Sequence, residues 1–353
     1  MLAASGPAAR EAHLTVSDRI DAEEWDQYVK SHPEGTIDHL WRWRDLFSRV
    51  FGHQSTYLVA RRDGAIAGLL PLVHFRSRLF GRFLVSVPFL NYGGVLASDA
   101  AAADALMAEA RDVAHGFGAS HVELRNTSRQ FDGLPCRAHK LKLTRTLPST
   151  PEALWSAVDR KVRNQVRKAQ KDGLTAQIGH SELIADFYSV FSRNMRDLGT
   201  PVYRKTLFTE TARLFSKEFH VYIVRLGRVP VAAAIALRFK DTVIVPWASS
   251  LREHRQHCPN MLLYWTMLEH ASQLGISTFD FGRSTRGAGT HQFKLQWGAT
   301  ETPLHWEYLL LTKSAVPDHG PTNAKFAAAI AVWQRLPLWV TEAFGPAIVR
   351  NIP

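Results

Sequence analysis

Cysteine is nearly absent, with only Cys136 and Cys258 in 353 residues. Two thiols cannot build a disulfide framework, and neither sits in a zinc-type spacing with further thiols. His254 and His257 crowd Cys258, but without a second cysteine the loop is expected to hold no metal. Long apolar runs are also missing. No stretch approaches the roughly eighteen residues a membrane span needs. The segment Met1–Glu11 is small and polar, lacks the apolar core of an export signal and is expected to be frayed, which favours a cytoplasmic location. Acidic residues are the minority, 32 against 43 Lys and Arg, giving a formal net charge of +11. That balance favours anionic partners: nucleotides, phosphorylated carriers, tRNA or an anionic membrane face. A Gly-Lys-Ser/Thr phosphate loop, a Ser-His-Asp order and paired metal carboxylates are absent too, so phosphate-loop, triad and two-metal chemistries do not compete.

What remains is an ordinary globular composition, 46% hydrophobic and 21% charged, over a length that suggests two domains. A faint internal repeat sets the organisation. Tyr57–Arg61, Gly64 and Leu69–Phe75 read as strand, turn, strand; Tyr222–Arg225, Gly227 and Ala232–Phe239 read the same way. An Ala-rich helix ending at Gly118 precedes the strand His121–Leu124, and an amphipathic helix ending at Gly275 precedes Thr278–Phe281. Each half therefore reads helix, hairpin, strand, helix, strand, which predicts an α/β fold of two tandem domains, each a mixed sheet flanked by helices. The expected units are 12–147, 151–313 and a helical tail over 322–353, with Pro148 and Pro151 marking the junction.

Pro151–Asp172 predicts one helix, capped by Thr150, with Arg160, Arg163, Arg167 and Lys171 on one face. Such a stripe is ordinarily a solvated face. The run Arg163-Asn164-Gln165-Val166-Arg167-Lys168-Ala169-Gln170-Lys171-Asp172-Gly173, however, resembles the R-x-x-I-R-K-A-x-K-x-G pattern of the Fem family. Asp280-Phe281-Gly282-Arg283-Ser284, followed by Gly289-Thr290 and Phe293-Lys294-Leu295-Gln296-Trp297-Gly298, resembles the D-F-G-R-S … G-T-x-x-F-K-x-x-W-G signature of Fem-like proteins, and within them those associated with exosortase (PEP-CTERM) exopolysaccharide clusters. Pro88-Phe89-Leu90-Asn91-Tyr92-Gly93-Gly94 is similar to that subgroup as well. The resemblance implies two acetyltransferase-like (Gcn5-related) domains and an acyl- or aminoacyl-transferase. Its acceptor would be an amine or hydroxyl of a cell-envelope or exopolysaccharide precursor. Acyl-CoA or aminoacyl-tRNA would be the co-substrate, with no tightly bound cofactor. No insertion between Pro151 and Tyr203 is long enough for the tRNA-binding arm of some Fem proteins, so tRNA is the less favoured donor.

Acyl transfer needs a deprotonated nucleophile, a held oxyanion and two oriented substrates. Lys294 is the candidate cation for a carrier phosphate or the developing oxyanion, with Phe293 and Trp297 packing inward beside it. Asp280 and Glu123, at equivalent places of the two halves, are candidate bases, or else structural partners of an arginine. Arg283 suits a phosphate, with Ser284 beside it. Arg163, Arg167 and Lys168 are candidate phosphate contacts, and Asn91 and Tyr92 precede two glycines that permit close backbone approach. Tyr203, Trp247 and Tyr264 either line an acceptor cleft or belong to the core. Between Leu251 and Asn260 there is no glycine, so the usual coenzyme A pyrophosphate loop is not written there. A competing reading is a non-catalytic binding protein for a phosphorylated glycan or glycolipid. The tail either docks on the body or inserts shallowly into the inner face of an anionic membrane through Trp333, Leu336, Leu338 and Trp339.

Overall fold

The computed structural model describes residues 13–77, 80–312, 315–316 and 324–352. The expected frayed start and the boundaries at 12, 313 and 322 fall outside these residues.

The first half runs β1 (Leu14–Ser17), α1 (Ala22–Ser31), α2 (Arg42–Leu46), β2 (Ser55–Arg62), β3 (Ala65–Ser77), β4 (Gly81–Val85), β5 (Leu96–Ala97), α3 (Ala100–Phe117), β6 (His121–Asn126), β7 (Cys136–Arg137) and β8 (Lys140–Thr146). Then come α4 (Pro151–Ala157), α5 (Arg160–Lys171), β9 (Leu174–Gly179), α6 (Ile184–Leu198), α7 (Lys205–Leu214), β10 (Phe219–Leu226), β11 (Val229–Phe239), β12 (Thr242–Ser250), α8 (Pro259–Gln273), β13 (Thr278–Thr285), α9 (Gly289–Leu295), β14 (Thr300–Pro303) and β15 (His305–Leu310). The tail is α10 (Ala324–Trp333) and α11 (Leu338–Val349).

Two sheets result, ordered β1-β2-β3-β4-β6-β15-β7, with β5 beside β3, and β9-β10-β11-β12-β13-β8-β14. In each, the crossover helix, α3 or α8, joins the parallel pair, β4–β6 or β12–β13. The sheets thus repeat one plan, in which β1, β2, β3, β4, β6 and β15 match β9, β10, β11, β12, β13 and β8. The last strand of each is exchanged: β8 precedes the junction but completes the second sheet, and β15 returns from the far end to complete the first. A division at 147/151 therefore follows the chain but not sheet membership.

The repeat holds in detail. Gly118 and Gly275 both lie just past their helices at positive φ, and the amide after each reaches five residues back, Ala119 to the Ala114 carbonyl and Ile276 to Ala271. The expected match of Gly64 with Gly227 is off by one. Arg62 pairs Ala65 around Asp63-Gly64, whereas Leu226 pairs Val229 around Gly227-Arg228. Asp-Gly supplies positive φ at both turn residues and Gly-Arg at the first alone. These are two primed turns that close the same two-residue hairpin. The helix expected over Pro151–Asp172 is two. Val158 is extended, and Asp159 recaps the chain by accepting from the Lys161 amide at 2.7 Å.

Three apolar clusters fix the layers. α3 covers the outer face of the first sheet through Leu106 and Ala110. α1, α2, α6 and α7 form a shared middle layer, where Trp43, Phe187 and Phe208 meet Val59 and Phe75 of one sheet and Ile223 and Trp247 of the other. α4, α5 and α8 cover the outer face of the second sheet through Val162, Val166 and Leu268. The tail docks on the body: Thr341, Gly345 and Val349 of α11 are buried, and a side chain on Gly345 would lie 2.8 Å from the Val202 amide nitrogen. Among the described residues no helix is long and apolar enough to cross a membrane, and no group of three His, Cys, Asp or Glu could hold a metal.

Candidate functional site

The inner faces of the two sheets meet at the exchanged strands. In β6, Val122 and Leu124 face outward, so Glu123 and Arg125 face the seam; in β8, Leu141 and Leu143 face outward, so Lys140 and Lys142 face it. β13 would turn Arg283 away from Asp280 if it were regular. A bulge prevents this: Asp280 pairs Thr144 and Arg283 pairs Lys142, so three residues of β13 span two of β8. Gly282, at φ +72°, takes up the extra residue, and both charged side chains then point into the seam. Ser284 is left on the opposite face, opposite Leu141.

Asp280 is buried and accepts from the Tyr92 hydroxyl at 3.0 and 2.9 Å and from the Gly282 amide at 2.8 Å, with the Lys142 Nζ at 3.9 Å. Burial raises its pKa, opposed first by Lys142. Glu123 holds the equivalent register position, opposite Val85 as Asp280 is opposite Ile244. It accepts from the Arg125 Nε at 2.8 Å. Arg283 lies over Trp306 at 5.3 Å, as Arg125 does at 4.5 Å. Burial, and then the neighbouring Arg125, lower its pKa to about 10. Its Nη1 is buried with no hydrogen-bond partner among the described residues, and so is the Trp306 Nε1. Lys140, brought down to about 8 by burial and then by the two guanidiniums, adds a third cation. Tyr203 lies close enough that Arg283 and Arg125 oppose the burial that raises its hydroxyl pKa.

The loop before α3 closes this seam. Asn91 and Tyr92 donate their backbone amides to Asp38 Oδ2 at 3.1 and 2.9 Å, and Asn91 Oδ1 accepts from the Arg283 amide at 3.5 Å. The two glycines that follow do make close approaches, but to protein. A Cβ on Gly93 would meet Val87 at 2.2 Å, and one on Gly94 would meet Asn126 Oδ1 at 1.6 Å. The first sheet is therefore filled where β4 and β6 part. In the second sheet, β12 and β13 pair only from Thr242/Thr278 to Ile244/Asp280 and then diverge. A cleft of about 410 Å³, lined by Tyr92, Lys142, Thr144, Lys240 and Asp280 among others, opens beside that last pair.

Lys294, expected to offer its ammonium to a carrier phosphate or the oxyanion, is turned onto the backbone of β13. It is 7% exposed and donates to the Gly282 and Arg283 carbonyls at 3.1 and 2.9 Å, holding the bulge. Burial, partly offset by Asp280, brings its pKa to about 8. Phe293 and Trp297 pack with Tyr264 on the outer face, and Trp247 packs edge-on to Phe208 in the middle layer, so these four are core. Arg163, Arg167 and Lys168 ride on α5, whose buried side faces α8; Arg167 lies over Trp155 at 5.4 Å and Lys168 pairs Asp172 at 2.5 Å. They are outside the seam.

Sequence reasoning missed Asp38, Arg125, Lys140, Lys142 and Trp306. The charged residues alternating with apolar ones in Val122-Glu123-Leu124-Arg125 and Lys140-Leu141-Lys142-Leu143 were a legible sign of a polar inner face. Asp38 offers no such sign. It is buried in a short turn, and its pKa is raised to about 7, by burial against the two amide hydrogen bonds.

Residues 156–295 match the family model of the acetyltransferase (GNAT) domain. No curated protein matches the chain. Among solved structures, the crystal structure of FemX is 15% identical, with a TM-score of 0.64 over 84% of this chain and 98% of that one. The C-terminal domain of a putative lysylphosphatidylglycerol synthetase from Agrobacterium fabrum is 13% identical, with a TM-score of 0.56 over 83% and 92%. A tandem GNAT protein from the clavulanic acid biosynthesis pathway is 12% identical, with a TM-score of 0.50 over 87% and 100%. At such identities the likeness is one of fold. The chain has the α/β architecture of tandem GNAT structures, two mixed sheets flanked by helices, with a GNAT-type acetyltransferase domain in its second half.

Proposed function

We propose that this chain transfers an acyl or aminoacyl group to an amine or hydroxyl of an anionic acceptor, a cell-envelope or exopolysaccharide precursor, at the seam between its sheets. The observation that carries the reading is the half-buried Arg283 guanidinium, whose Nη1 is itself fully buried. It has an unpaired Nη1 beside Arg125 and Lys140, where the strands of the second sheet part. A buried donor without a partner is costly, and an acceptor phosphate or carboxylate would satisfy it. The parted strands β12 and β13 are where a donor's acyl chain would enter, and the exposed Arg252 and Arg255 before α8 would meet a carrier phosphate. Because Asp280 and Glu123 already hold internal partners, we assign them to positioning and Asp38 to proton acceptance; its Oδ1 makes no hydrogen bond among the described residues. In the reaction, the acceptor nitrogen or oxygen attacks the carbonyl carbon. The new C–N or C–O bond forms as the bond to the carrier breaks. The proton lost by the acceptor passes to Asp38 and from there to the departing sulfur or oxygen, so that the carrier leaves as its thiol or hydroxyl and Asp38 is again ionised. The resemblance to the Fem family, and within it to the PEP-CTERM-associated subgroup, supports the envelope or exopolysaccharide class of acceptor.

The test is transfer from labelled acyl-CoA, and separately from aminoacyl-tRNA, to phosphorylated sugar acceptors, followed by mass spectrometry. Arg283→Gln should raise the acceptor KM by about tenfold or more, the range for loss of a hydrogen bond from a charged group. Tight acceptor binding with no turnover from either donor would instead favour the binding-protein reading, which the engaged state of Glu123 and Asp280 supports.

A further inference from the structure

The tail docks one side of α11 on the body and leaves the other side bare. Thr341, Gly345, Pro346 and Val349 are buried. The opposite side presents Trp339, Val340, Ala343, Phe344, Ala347 and Ile348, with Trp339 69% and Phe344 59% exposed. No polar residue interrupts that strip, and Val332 of α10 is likewise 60% exposed. A contiguous apolar face of this kind is uncommon on a monomeric soluble protein and marks an interaction surface. The docking underneath is firm: the His53 Nε2 meets the Arg350 carbonyl at 2.8 Å, the Gln334 Nε2 donates to the Asp197 carbonyl at 3.2 Å, and Gly345 seats against Val202. The strip is therefore held outward as a fixed surface.

We infer that this strip is an anionic-membrane docking surface, on which α11 lies parallel to the bilayer. The helices are too short to cross it. Trp and Phe on the apolar side with arginines at the rim are the composition of an interfacial helix. Arg335 and Arg350 are exposed at the two ends of the strip, and the segment from Gln334 to Asn351 carries Glu342 as its sole acidic residue. The same charges disfavour a second copy of this chain as the occupant. A two-fold contact through the strip would bring arginines of like sign together on a chain of net charge +11, whereas anionic headgroups neutralise them. The underside of α11 seats through Gly345 on Val202, next to Tyr203, so a lipid-linked acceptor at the membrane would be presented on the side of the molecule from which this segment leads to Arg283. That corollary rests on the transferase reading; the docking does not.

The experiment is vesicle flotation of the full chain, which reads no chemistry. Wild type should bind phosphatidylglycerol/phosphatidylcholine vesicles about tenfold or more tightly than phosphatidylcholine alone, and added salt should narrow the gap. Trp339→Ser with Phe344→Ser should weaken binding by about tenfold or more while thermal unfolding stays unchanged, since both side chains are exposed. Three results would each overturn the inference: wild type that floats with neither vesicle, a double variant that binds as wild type does, and a concentration-dependent dimer that the double variant dissolves.

Discussion

Among the groups whose protonation the seam shifts, Asp38 and Lys294 are the two that bear most directly on transfer. Asp38, raised from 3.8 to about 7, must be ionised to accept a proton, and Lys294, lowered from 10.5 to about 8, must be charged to hold its two carbonyls. Transfer should therefore follow a narrow bell in pH, rising near 7 and falling near 8, and Asp38→Asn should remove the rising limb along with most of the rate. The stability sign is opposite to that of a salt-bridged carboxylate. The folded state holds the Asp38 proton more tightly than the unfolded chain does, so stability is lost as pH climbs from the ordinary value to about 7. The fall in urea midpoint across that window should flatten in Asp38→Asn. Lys294→Ala should slow transfer by about tenfold or more and, because the side chain is buried, should also cost about 2–4 kcal/mol in denaturant titrations. At this scale the sequence was informative where a motif names the residue, as Asp280, Arg283 and Lys294 do. It was silent on Asp38, whose partners Asn91 and Tyr92 lie far along the chain.

Among the elements, the bulge of β13 does most to aim the site. Gly282→Ala would force a side chain into positive φ with Asn91 Nδ2 and Val245 O both at 3.1 Å. We expect a loss of roughly 1–3 kcal/mol and a larger loss of acceptor affinity, because Arg283 would be turned from the seam. Gly94→Ala, with Asn126 Oδ1 at 1.6 Å, should be worse for folding, yet it tells nothing about Arg283. The basic helix α5 gives a contrasting case. With its buried side on α8, replacing Arg163 and Arg167 by Gln should leave stability and acceptor affinity within about twofold, since Gln is nearly as good a helix former. A large fall in acceptor affinity would mean that the acceptor reaches round the second sheet. The two hairpins and the two crossover helices with the strands after them were readable from periodicity and caps, whereas β8, β15, α6 and α7 were not read and α4 and α5 were read as one helix. The bulge was not readable, because a one-residue shift in pairing leaves no mark in Phe281-Gly282 beyond a glycine that also suits a turn.

For the whole molecule, the repeat predicted two sheets, and both are present, but no pattern in Lys140–Thr146 or His305–Leu310 says which sheet a strand joins. Alternation fixes faces, not partners. The exchange makes the halves interdependent, so a fragment ending at 147 lacks β15 and presents β8 with nothing to pair. Circular dichroism should find that fragment largely unfolded, whereas the full chain should unfold in one transition by both fluorescence and hydrogen exchange. A well-folded fragment would refute this interdependence. The same crossing imposes a timetable on the ribosome. β6 emerges about 180 residues before β15, so one edge of the first sheet waits through most of translation with its amides and carbonyls unpaired. β8, made early, waits in turn for the sheet it will complete. Nascent chains stalled before β15 should therefore depend on a chaperone, and codon changes that slow translation between the two strands should lower soluble yield far more than equal delays after β15.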